Sequence, residues 1–463
     1  MTHADASWST ARLAAVLSLP QPTQPAPVSG FSTDTRTLEP GQVFVALRGE
    51  QHDGHHFVEQ AHARGAVAVV VDHATSTPGC LVVPDTLRAY ADIAADHLRG
   101  LRPGLSVVAV TGSSGKTSTK DLMASVFGAV RRTVAPTGSL NNEVGLPATV
   151  LSAGADTQVL VLEMGMRGLG HISYLCRIAP PDFSVVLNVG SAHIGELGSR
   201  EAIAAAKSEI VTGAAPGATV VLNADDPLVS AMAASAPGSV LMFGQSAAAD
   251  VRATDVTLSA EGAPTFRLHL PQVEPQLVAL QVLGRHQVLN ACAAAAAAHA
   301  AGLAAQDIAT GLMQAQSRSR WRMERRVRAD GLVVINDAYN ANPESMAAAI
   351  AALAGQRGAG RTIAVLGEMR ELGSWSEAAH VELGRLTRES GIDLVVAVGA
   401  AGLQIAQGRG AEGTVCVESV ADALAVASAE CGAADVVLCK ASRSIGLERV
   451  GMALIEQFGT VSP

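Results

Sequence analysis

The segment 106–120 carries two glycines, a lysine and a threonine at the spacing Gly112-x-x-Gly115-Lys116-Thr117. Glycines let backbone N–H groups approach a phosphate closely. A helix that begins at the lysine adds partial positive charge to the full charge of the ammonium group. The threonine hydroxyl can bind a magnesium ion that bridges phosphate oxygens, although the spacing is two residues shorter than the general Gly-x-x-x-x-Gly-Lys motif. The pattern predicts a nucleoside triphosphate site. Its predicted phosphate-binding residues are Gly112, Ser113, Ser114, Gly115, Lys116, Thr117 and Ser118.

A phosphate cradle of this kind needs a strand before it and parallel strands beside it. Residues 107–110 form a β-branched run typical of a buried strand, and further strands are predicted at 158–162 and 183–189. Glu163 follows the second of these strands, and His193 stands a few residues beyond the third. Because the carboxyl ends of parallel strands lie along one edge, we expect both side chains near the phosphates, as magnesium ligands or orienting groups.

Composition restricts the class of protein. The chain has 463 residues, of which 48% are apolar and 16% charged, which predicts about three well-buried globular domains. Its net charge of −9 argues against broad nucleic-acid binding. Six cysteines without a Cys-x-x-Cys pair argue against a zinc site or a disulfide framework and favour the cytoplasm. No apolar run is long enough to predict a membrane segment.

The predicted fold class is α/β with three domains: a small α/β N-terminal domain, a central domain with a parallel sheet of the P-loop type, and a C-terminal Rossmann-like doubly wound domain. The expected boundaries are 1–103, 104–317 and 318–463. In the central domain, residues 200–211 predict a helix with Lys207 in its middle, where most lysines are simply solvated. The Ala-rich helix 286–301 contains Asn290, which packing alone does not explain.

Two segments of the third domain are too polar or too charged for plain connectors. The loop 336–342 ends at Asn342, which is predicted to cap a helix that has Pro343 at its first position. The segment 317–328, SRSRWRMERRVR, is strongly basic. It is interpreted either as a solvated hinge or as the source of an arginine that faces a triphosphate.

Eight strings, taken together, resemble the Mur ligases, and the resemblance extends over all three units. DAYNANPESM (337–346) and LGEMRELG (366–373) indicate the member of the family that adds a dipeptide. The others are TGSSGKTSTKD (111–121), NNEVGLP (141–147), EMG (163–165), NVGSAHIGELGS (188–199), AKSEI (206–210) and KASRS (440–444).

The resemblance implies an ATP-dependent amide ligase of cytoplasmic peptidoglycan precursor synthesis. ATP would phosphorylate the terminal carboxylate of a UDP-N-acetylmuramoyl-tripeptide, and the amine of D-alanyl-D-alanine would attack the acyl phosphate, with ADP and phosphate as the other products. A carboxylate needs this activation because its own leaving group would be oxide. Since a carboxylate and a triphosphate repel each other, Lys116 and two Mg²⁺ ions would neutralise the site. We expect a monomer that binds neither nucleic acid nor membrane.

The resemblance also implies roles for single residues. Thr117 and Glu163 match ligands of the ATP-associated magnesium, and His193 matches a ligand of the second metal ion. Lys207 matches a lysine that the family carbamylates with carbon dioxide, which turns a cation into a metal-binding anion. The implied catalytic residues are Lys116, Glu163, His193 and Lys207. Nucleotide contacts are implied for Asn290, Arg322 and Asp337. Substrate contacts are implied for Ser32, Thr33, Asp34, Thr35, Arg36, Arg48, Glu50, Asn141, Asn142, Tyr339, Asn340, Lys440, Ser442 and Arg443.

By the same resemblance, domain 1–103 would bind the uridine nucleotide, domain 104–317 would bind ATP, and domain 318–463 would bind the acceptor and close over ATP. Two positions depart from the family pattern. His286 is followed by Gln287 where the family usually has asparagine, and Ala441 stands where it often has glycine. If that glycine serves a left-handed backbone, the local geometry here must differ.

Three alternatives stand beside this interpretation. The first is another ligase of the superfamily, such as a sister Mur ligase or folylpolyglutamate synthase, which the acceptor-side strings disfavour. The second is a non-catalytic ATP-binding scaffold, which would bind ATP without acceptor-dependent phosphate release. The third is an amidating partner subunit, which would be expected to carry a four-cysteine zinc insertion that this sequence lacks.

Overall fold

The structure is a computed structural model that describes residues 7–49, 52–75, 77, 79–102, 104–356, 358 and 360–456. Three units with largely parallel sheets follow one another along the chain, so the prediction of a three-domain α/β fold is confirmed. Glu50 lies outside the described residues. None of the described helices combines the length and the apolar character that crossing a membrane requires.

The first unit is built on a small parallel sheet with the strand order β3-β4-β5-β6. Its elements are β1 Trp8–Ser9, α1 Thr10–Val16, β2 Pro27–Val28, β3 Gly30–Ser32, β4 Gln42–Val45, α2 Val58–Ala63, β5 Ala68–Val71, β6 Cys80–Val82 and α3 Thr86–Leu101. Because these strands are parallel, the chain segments that follow β3, β4 and β5 meet at one edge, where Ser32, Arg48 and Asp72 lie.

The second unit contains a nine-stranded sheet with the order β15-β14-β13-β12-β11-β10-β7-β9-β8. Its strands are β7 Ser106–Thr111, β8 Thr133–Val134, β9 Val159–Glu163, β10 Phe183–Val186, β11 Thr219–Asn223, β12 Val240–Gly244, β13 Val251–Leu258, β14 Pro264–His269 and β15 Gln276–Ala279. Strands β7 to β13 pair in parallel, and β13, β14 and β15 pair antiparallel. Strand β7 therefore lies between β9 and β10, which brings the segments after all three strands to one edge of the sheet.

Helices cover both faces of this sheet. They are α4 Lys116–Gly128, α5 Gly145–Leu151, α6 His171–Ile178, α7 Ile194–Leu197, α8 Arg200–Thr212, α9 Pro227–Ser230, α10 Gln287–Ala300 and α11 Ala305–Met313. The alanines of α10 are fully buried on one face, where the helix packs against α4 and fixes the helix that begins at the phosphate cradle. The apolar cluster on the other face continues into α3 and into the third unit.

The third unit has a six-stranded sheet with the order β16-β17-β21-β18-β19-β20, parallel except for the edge strand β16. Its elements are β16 Glu324–Val327, β17 Val333–Asn336, α12 Pro343–Ala354, β18 Thr362–Leu366, α13 Ser376–Glu389, β19 Leu394–Val398, α14 Ala401–Arg409, β20 Thr414–Val417, α15 Val420–Glu430, β21 Val436–Lys440 and α16 Glu448–Glu456. Short 3-10 helices lie at Gly54–Phe57, Ala231–Ser235, Gly373–Trp375 and Arg443–Ile445. The doubly wound alternation is confirmed, and Asn342 caps α12 with a capping box and Pro343 at its start.

One segment differs from its predicted conformation. The basic segment 317–328 is not a solvated hinge throughout, because its second half forms β16 and pairs antiparallel with β17. An edge strand tolerates arginines, since only one of its sides is hydrogen-bonded to the sheet and long charged side chains can reach water.

Candidate active site

The glycines of the phosphate cradle are required by close contacts. Gly115 has a φ of +81°, and helix α4 begins directly after it, at Lys116. A Cβ at Gly115 would lie 2.5 Å from Asn290 Oδ1, and one at Gly112 would lie 2.9 Å from Leu187 Cβ. The Lys116 ammonium donates to the Gly112 carbonyl at 2.7 Å, so the lysine folds back over its own loop. Burial lowers the pKa of Lys116, and the Glu163 carboxylate partly opposes that shift.

Asn188 holds the cradle loop from the neighbouring strand. Its carbonyl accepts from the Ser113 N–H at 3.1 Å, and its side-chain Oδ1 accepts from the Ser114 N–H at 2.9 Å. The predicted strand 183–189 is too long for this reason: β10 ends at Val186, and the chain leaves the sheet to hold the loop. No role is predicted for Asn188 from the sequence, although an asparagine inside a β-branched run is a signal of one.

Thr117 and Glu163 form a buried pair at the start of α4 and the end of β9. The Thr117 hydroxyl donates to Glu163 Oε2 at 2.9 Å, and Glu163 Oε1 accepts from Ser139 and Asn141 at 2.8 and 2.7 Å. The Glu163 side chain is nearly inaccessible, and its hydrogen-bond donors among the described residues are all neutral. A hydroxyl and a carboxylate oxygen at this distance suit a hard divalent cation, so these residues fit a magnesium ion.

A cleft of about 670 Å³ extends from the cradle to the third unit. Arg322 enters it from the segment before β16, with its guanidinium 4.2 Å above the Tyr339 ring. The Nε atom of Arg322 is buried and has no hydrogen-bond partner among the described residues, which leaves this cation available to an anion in the cleft. The predicted residues that line the cleft are Ser113, Ser114, Gly115, Lys116, Thr117, Ser118, Asn141, Glu163, Asn290, Arg322, Asp337, Tyr339, Asn340 and Lys440.

Lys440 and Asp337 form a buried ion pair at the far wall of the cleft. Lys440 Nζ lies 2.7 Å from Asp337 Oδ2 and also donates to the Asn340 carbonyl at 2.9 Å. The other oxygen of Asp337 accepts from the Met323 N–H at 3.0 Å. The end of β21, which carries Lys440, and the loop that carries Asp337 and Asn340 are therefore fixed relative to each other.

Gln287, which stands where the family usually has asparagine, holds Asn290 in place at the nucleotide side of the cleft. Gln287 is buried and its Oε1 accepts from Asn290 Nδ2 at 2.9 Å, which leaves Asn290 Oδ1 directed at Gly115. The departure at Ala441 is also accommodated. Ala441 does not have a positive φ. It packs against Gly367, and a Cβ added at Gly367 would lie only 2.9 Å from the Ala441 Cβ. Neither substitution disturbs the phosphate cradle.

Lys207 is buried in the middle of α8 without a carboxylate beside it. Its side chain is 1% exposed, and its hydrogen-bonding contact is with Met166 Sδ at 3.9 Å. Burial lowers the pKa of Lys207 well below its ordinary value, and the charge of Lys116 lowers it further. Since an unpaired buried ammonium is costly, burial favours the neutral amine, which is the form that reacts with carbon dioxide.

His193 does not line the cleft but lies at the contact between the second and third units. Its Nδ1 is 2.9 Å from Glu371 Oε2, and its φ is +67°. The contact with His193 lowers the pKa of Glu371, and the charges of Lys116 and Arg167 lower it further. The histidine and the cradle lysine therefore act on one carboxylate. Glu371 belongs to the string LGEMRELG, but no role is predicted for it from the sequence.

Several predicted substrate residues lie away from the cleft. Residues 32–36 and Arg48 are in the first unit, where Arg36 pairs with Asp34 at 2.6 Å and Arg48 pairs with Asp72 at 2.7 Å. The side chain of Asn142 is held at the start of α5, where its Oδ1 accepts from the Gly145 N–H at 2.9 Å. Two further residues make contacts inside the third unit: the Ser442 hydroxyl accepts from the Arg370 N–H, and Arg443 stacks on Trp321.

We predict that Gly115→Ala weakens nucleotide binding and destabilises the fold by about 1–3 kcal/mol, because alanine is strained at this φ and collides with Asn290. Thermal unfolding with and without ADP and magnesium measures both effects. Gly128→Ala is the matched control at the other end of α4, since no atom lies within 4 Å of its added Cβ. Full ADP-induced stabilisation of the Gly115 variant would contradict the prediction.

Comparison with known protein families gives matches over all three units. Residues 27–99 match the description "Mur ligase family, catalytic domain". Residues 110–298 match "Mur ligase middle domain", and residues 321–443 match "Mur ligase, glutamate ligase domain". The three matched segments follow the order of the three sheets.

Individual proteins are similar over almost the whole chain. The UDP-N-acetylmuramoyl-tripeptide–D-alanyl-D-alanine ligase of Mycobacterium tuberculosis is 40% identical, with 93% of each chain covered. A crystal structure of MurF from Acinetobacter baumannii is 33% identical and has a TM-score of 0.88, and the match covers 97% of this chain and 99% of the Acinetobacter chain. A structure of MurF ligase from Thermotoga maritima in complex with ADP is 29% identical, has a TM-score of 0.80, and covers 92% and 97% of the two chains.

Proposed function

Because this chain belongs to the Mur ligase family, we propose that its cleft holds ATP while the surrounding side chains activate the carboxylate of a UDP-linked peptide. The chain is an ATP-dependent amide ligase of peptidoglycan synthesis, which joins D-alanyl-D-alanine to a UDP-N-acetylmuramoyl-tripeptide. One observation carries the site assignment: Lys116 and Glu163 of the second unit share a cleft with Arg322 and Asp337 of the third.

Charge neutralisation is the first task of this site. The peptide carboxylate and the terminal phosphate of ATP repel each other, by about 4 kcal/mol for unit charges 4 Å apart at an effective dielectric constant of 20. Lys116 and Arg322 would offset this repulsion from two sides of the cleft, one from the cradle and one from the third unit. The carboxylate oxygen can then take the γ-phosphoryl group of ATP, and ADP leaves.

Thr117 and Glu163 would hold the magnesium ion that accompanies ATP, and His193 with Lys207 would hold a second one. When bound, these ions supply positive charge to the phosphoryl oxygens and to the carboxylate. Ser139 and Asn141 hold Glu163 in place through its other oxygen, so that its Oε2 stays beside the Thr117 hydroxyl. The acceptor amine attacks the acyl phosphate, the amide bond forms, and phosphate leaves.

We assign carbamylation to Lys207. A free amine attacks carbon dioxide, loses a proton and becomes a carbamate anion with two oxygen ligands. Burial lowers the pKa of Lys207 and so favours the uncharged, nucleophilic form of its amine. An anion at this position would also remove the cost of facing the Lys116 charge, since it converts a repulsive pair into an attractive one.

The three units would divide the work. We propose that residues 1–103 bind the uridine nucleotide at the edge that carries Ser32, Thr33, Asp34, Thr35, Arg36 and Arg48. Residues 104–317 would bind ATP, and residues 318–463 would bind the dipeptide and close over ATP. A cytoplasmic location fits the nucleotide substrates and the six free cysteines.

Phosphate release from ATP tests the function directly. We expect release only when D-alanyl-D-alanine and a UDP-N-acetylmuramoyl-tripeptide are both present, with lysine or diaminopimelate as third residue tested in turn, and mass spectrometry should find the pentapeptide product. Release with glutamate or another single amino acid in place of the dipeptide would indicate a sister ligase. ATP binding without acceptor-dependent release would indicate a non-catalytic scaffold.

A further inference from the structure

Two loops from different units dock backbone against backbone beside the cleft. The Gly195 N–H donates to the Glu371 carbonyl at 3.2 Å. A Cβ at Gly195 would lie 2.5 Å from the Gly373 nitrogen, and one at Gly373 would lie 2.9 Å from the Gly195 Cα. Only glycines permit this approach, so the two loops are shaped for each other.

The residues that face each other across this contact share an unusual backbone. His193 has a φ of +67° and Glu371 a φ of +66°, both in the left-handed region that non-glycine residues rarely adopt. Such conformations persist only where the surroundings over-determine them, and they cluster at functional sites. Here the surroundings of each residue include the loop that carries the other.

The side chains of the two residues meet as well. His193 Nδ1 is buried, lies 2.9 Å from Glu371 Oε2, and has no other partner closer than Glu196 Oε2 at 3.9 Å. The contact is not aligned as a hydrogen bond, but a small rotation of the carboxylate would let Nδ1–H donate to it. Among the described residues, no atom hydrogen-bonds with His193 Nε2, so this nitrogen remains free for a ligand.

We propose that Glu371 is a positioning residue that the third unit delivers to His193, so that the docking of this unit prepares Nε2 to bind the second magnesium ion. The inference rests on the proposed role of His193 as a metal ligand. Metal-binding histidines usually donate their other N–H to a carboxylate or carbonyl, which fixes the tautomer and the ring orientation. In this chain that carboxylate comes from another domain, so metal affinity and domain docking depend on each other.

Two other hydrogen bonds of the same interface hold the units together independently of the contact between Glu371 and His193. Glu344 Oε1 accepts from the Ser191 N–H at 2.6 Å, and Asn342 Nδ2 donates to the Ser113 carbonyl at 3.2 Å. These bonds hold the third unit against the second without touching His193. We therefore expect that removing the charge of Glu371 leaves the two units docked and changes only the group beside His193 Nδ1.

Manganese binding measured by electron paramagnetic resonance tests the proposal on the full chain with a non-hydrolysable ATP analogue and the UDP-tripeptide. We expect wild-type protein to bind two ions. Glu371→Gln should bind the first as tightly as wild type and the second about 10–100-fold more weakly. Glu196→Gln, on the histidine's own loop, is the matched control and should bind both ions normally. Small-angle scattering of Glu371→Gln with both ligands should match that of wild type.

Two results would overturn the inference: unchanged affinity for the second ion in Glu371→Gln, or equal weakening in Glu196→Gln. A third variant distinguishes this failure from failure of the proposed function. If His193→Asn loses the second ion while Glu371→Gln keeps it, the metal assignment stands and only the positioning role is wrong. If His193→Asn binds both ions normally, the metal role of His193 is wrong, and the positioning role falls with it.

Discussion

Replacing Lys207 by alanine is expected to reduce turnover by roughly 10³-fold or more while the protein remains folded. The variant would lose the anion that carbamylation supplies, and with it the second metal ion that we propose to neutralise the peptide carboxylate. A metal ion in this position contributes several kcal/mol to the reaction, and each 1.36 kcal/mol corresponds to about a factor of ten in rate. Steady-state phosphate release measures the loss.

We expect the fold to survive this change because the buried amine of Lys207 forms no ion pair among the residues that the structure describes. Within the described part of the chain, the hydrogen-bonding contact of this amine is the Met166 sulfur, so its removal leaves no charged partner behind. Lys207→Met is the matched variant, since methionine fills the space of the aliphatic stem. Lys207→Met should melt near the wild-type temperature, and Lys207→Ala somewhat lower because alanine leaves a cavity.

Chemical rescue distinguishes a missing anion from a damaged site. Formate or acetate can enter the space that alanine leaves and restore part of the activity, whereas methionine fills that space and should not respond. Wild-type turnover in Lys207→Met would refute the assignment. Rescue of both variants to the same degree would indicate that the added carboxylate acts elsewhere.

The lysine content of the chain makes the carbamate itself visible. Lys116, Lys120, Lys207 and Lys440 are the only lysines in the sequence, so protein labelled with ¹⁵N-lysine has four side-chain resonances. We expect ¹³CO₂ to couple to one of them and the coupled signal to disappear in Lys207→Met. Lys120 and Lys440 are held in ion pairs and should remain unmodified.

The cradle was predictable from sequence because its determinants are local. Gly112, Gly115, Lys116 and Thr117 stand within six residues, and strand and helix propensities on either side place them at the edge of a sheet. Glu163 was predictable for a related reason: it follows a strand that pairs directly with the cradle strand. In both cases the parallel arrangement of strands converts position in the sequence into position in space.

The residues that sequence reasoning missed act across long separations or against their local character. Asn188 reaches the cradle from 74 residues away. Glu371 becomes meaningful only when another domain brings it to His193. Lys207 was predicted only through the family resemblance, because its local pattern is that of a solvated helix lysine. Strand β16 is obscured because its arginines outweigh its strand propensity. The periodicity of apolar residues in a sequence does not show which side chains a distant segment will bury. Nor does it show which residue will pair with a charged side chain.

Replacing Lys116 by glutamine is expected to slow phosphoryl transfer by about 10²–10³-fold, the usual cost of losing one pre-organised group aimed at developing charge. Glutamine keeps a hydrogen-bond donor for the Gly112 carbonyl but removes the positive charge. Single-turnover formation of ADP from ATP and UDP-tripeptide, without dipeptide, isolates this step. The KM for D-alanyl-D-alanine should change little, because the acceptor amine reacts only after the phosphoryl group has moved.

Lys116→Arg separates charge from shape. The ammonium lies 2.7 Å from the Gly112 carbonyl inside a tight loop, so a guanidinium fits poorly and should not restore the full rate. It still supplies a cation, and if charge is the cause it should act about tenfold faster than glutamine. Equal rates in the two variants would mean that the lysine serves the loop rather than the phosphates. That result would remove the electrostatic basis for bringing two anions together at this edge of the sheet.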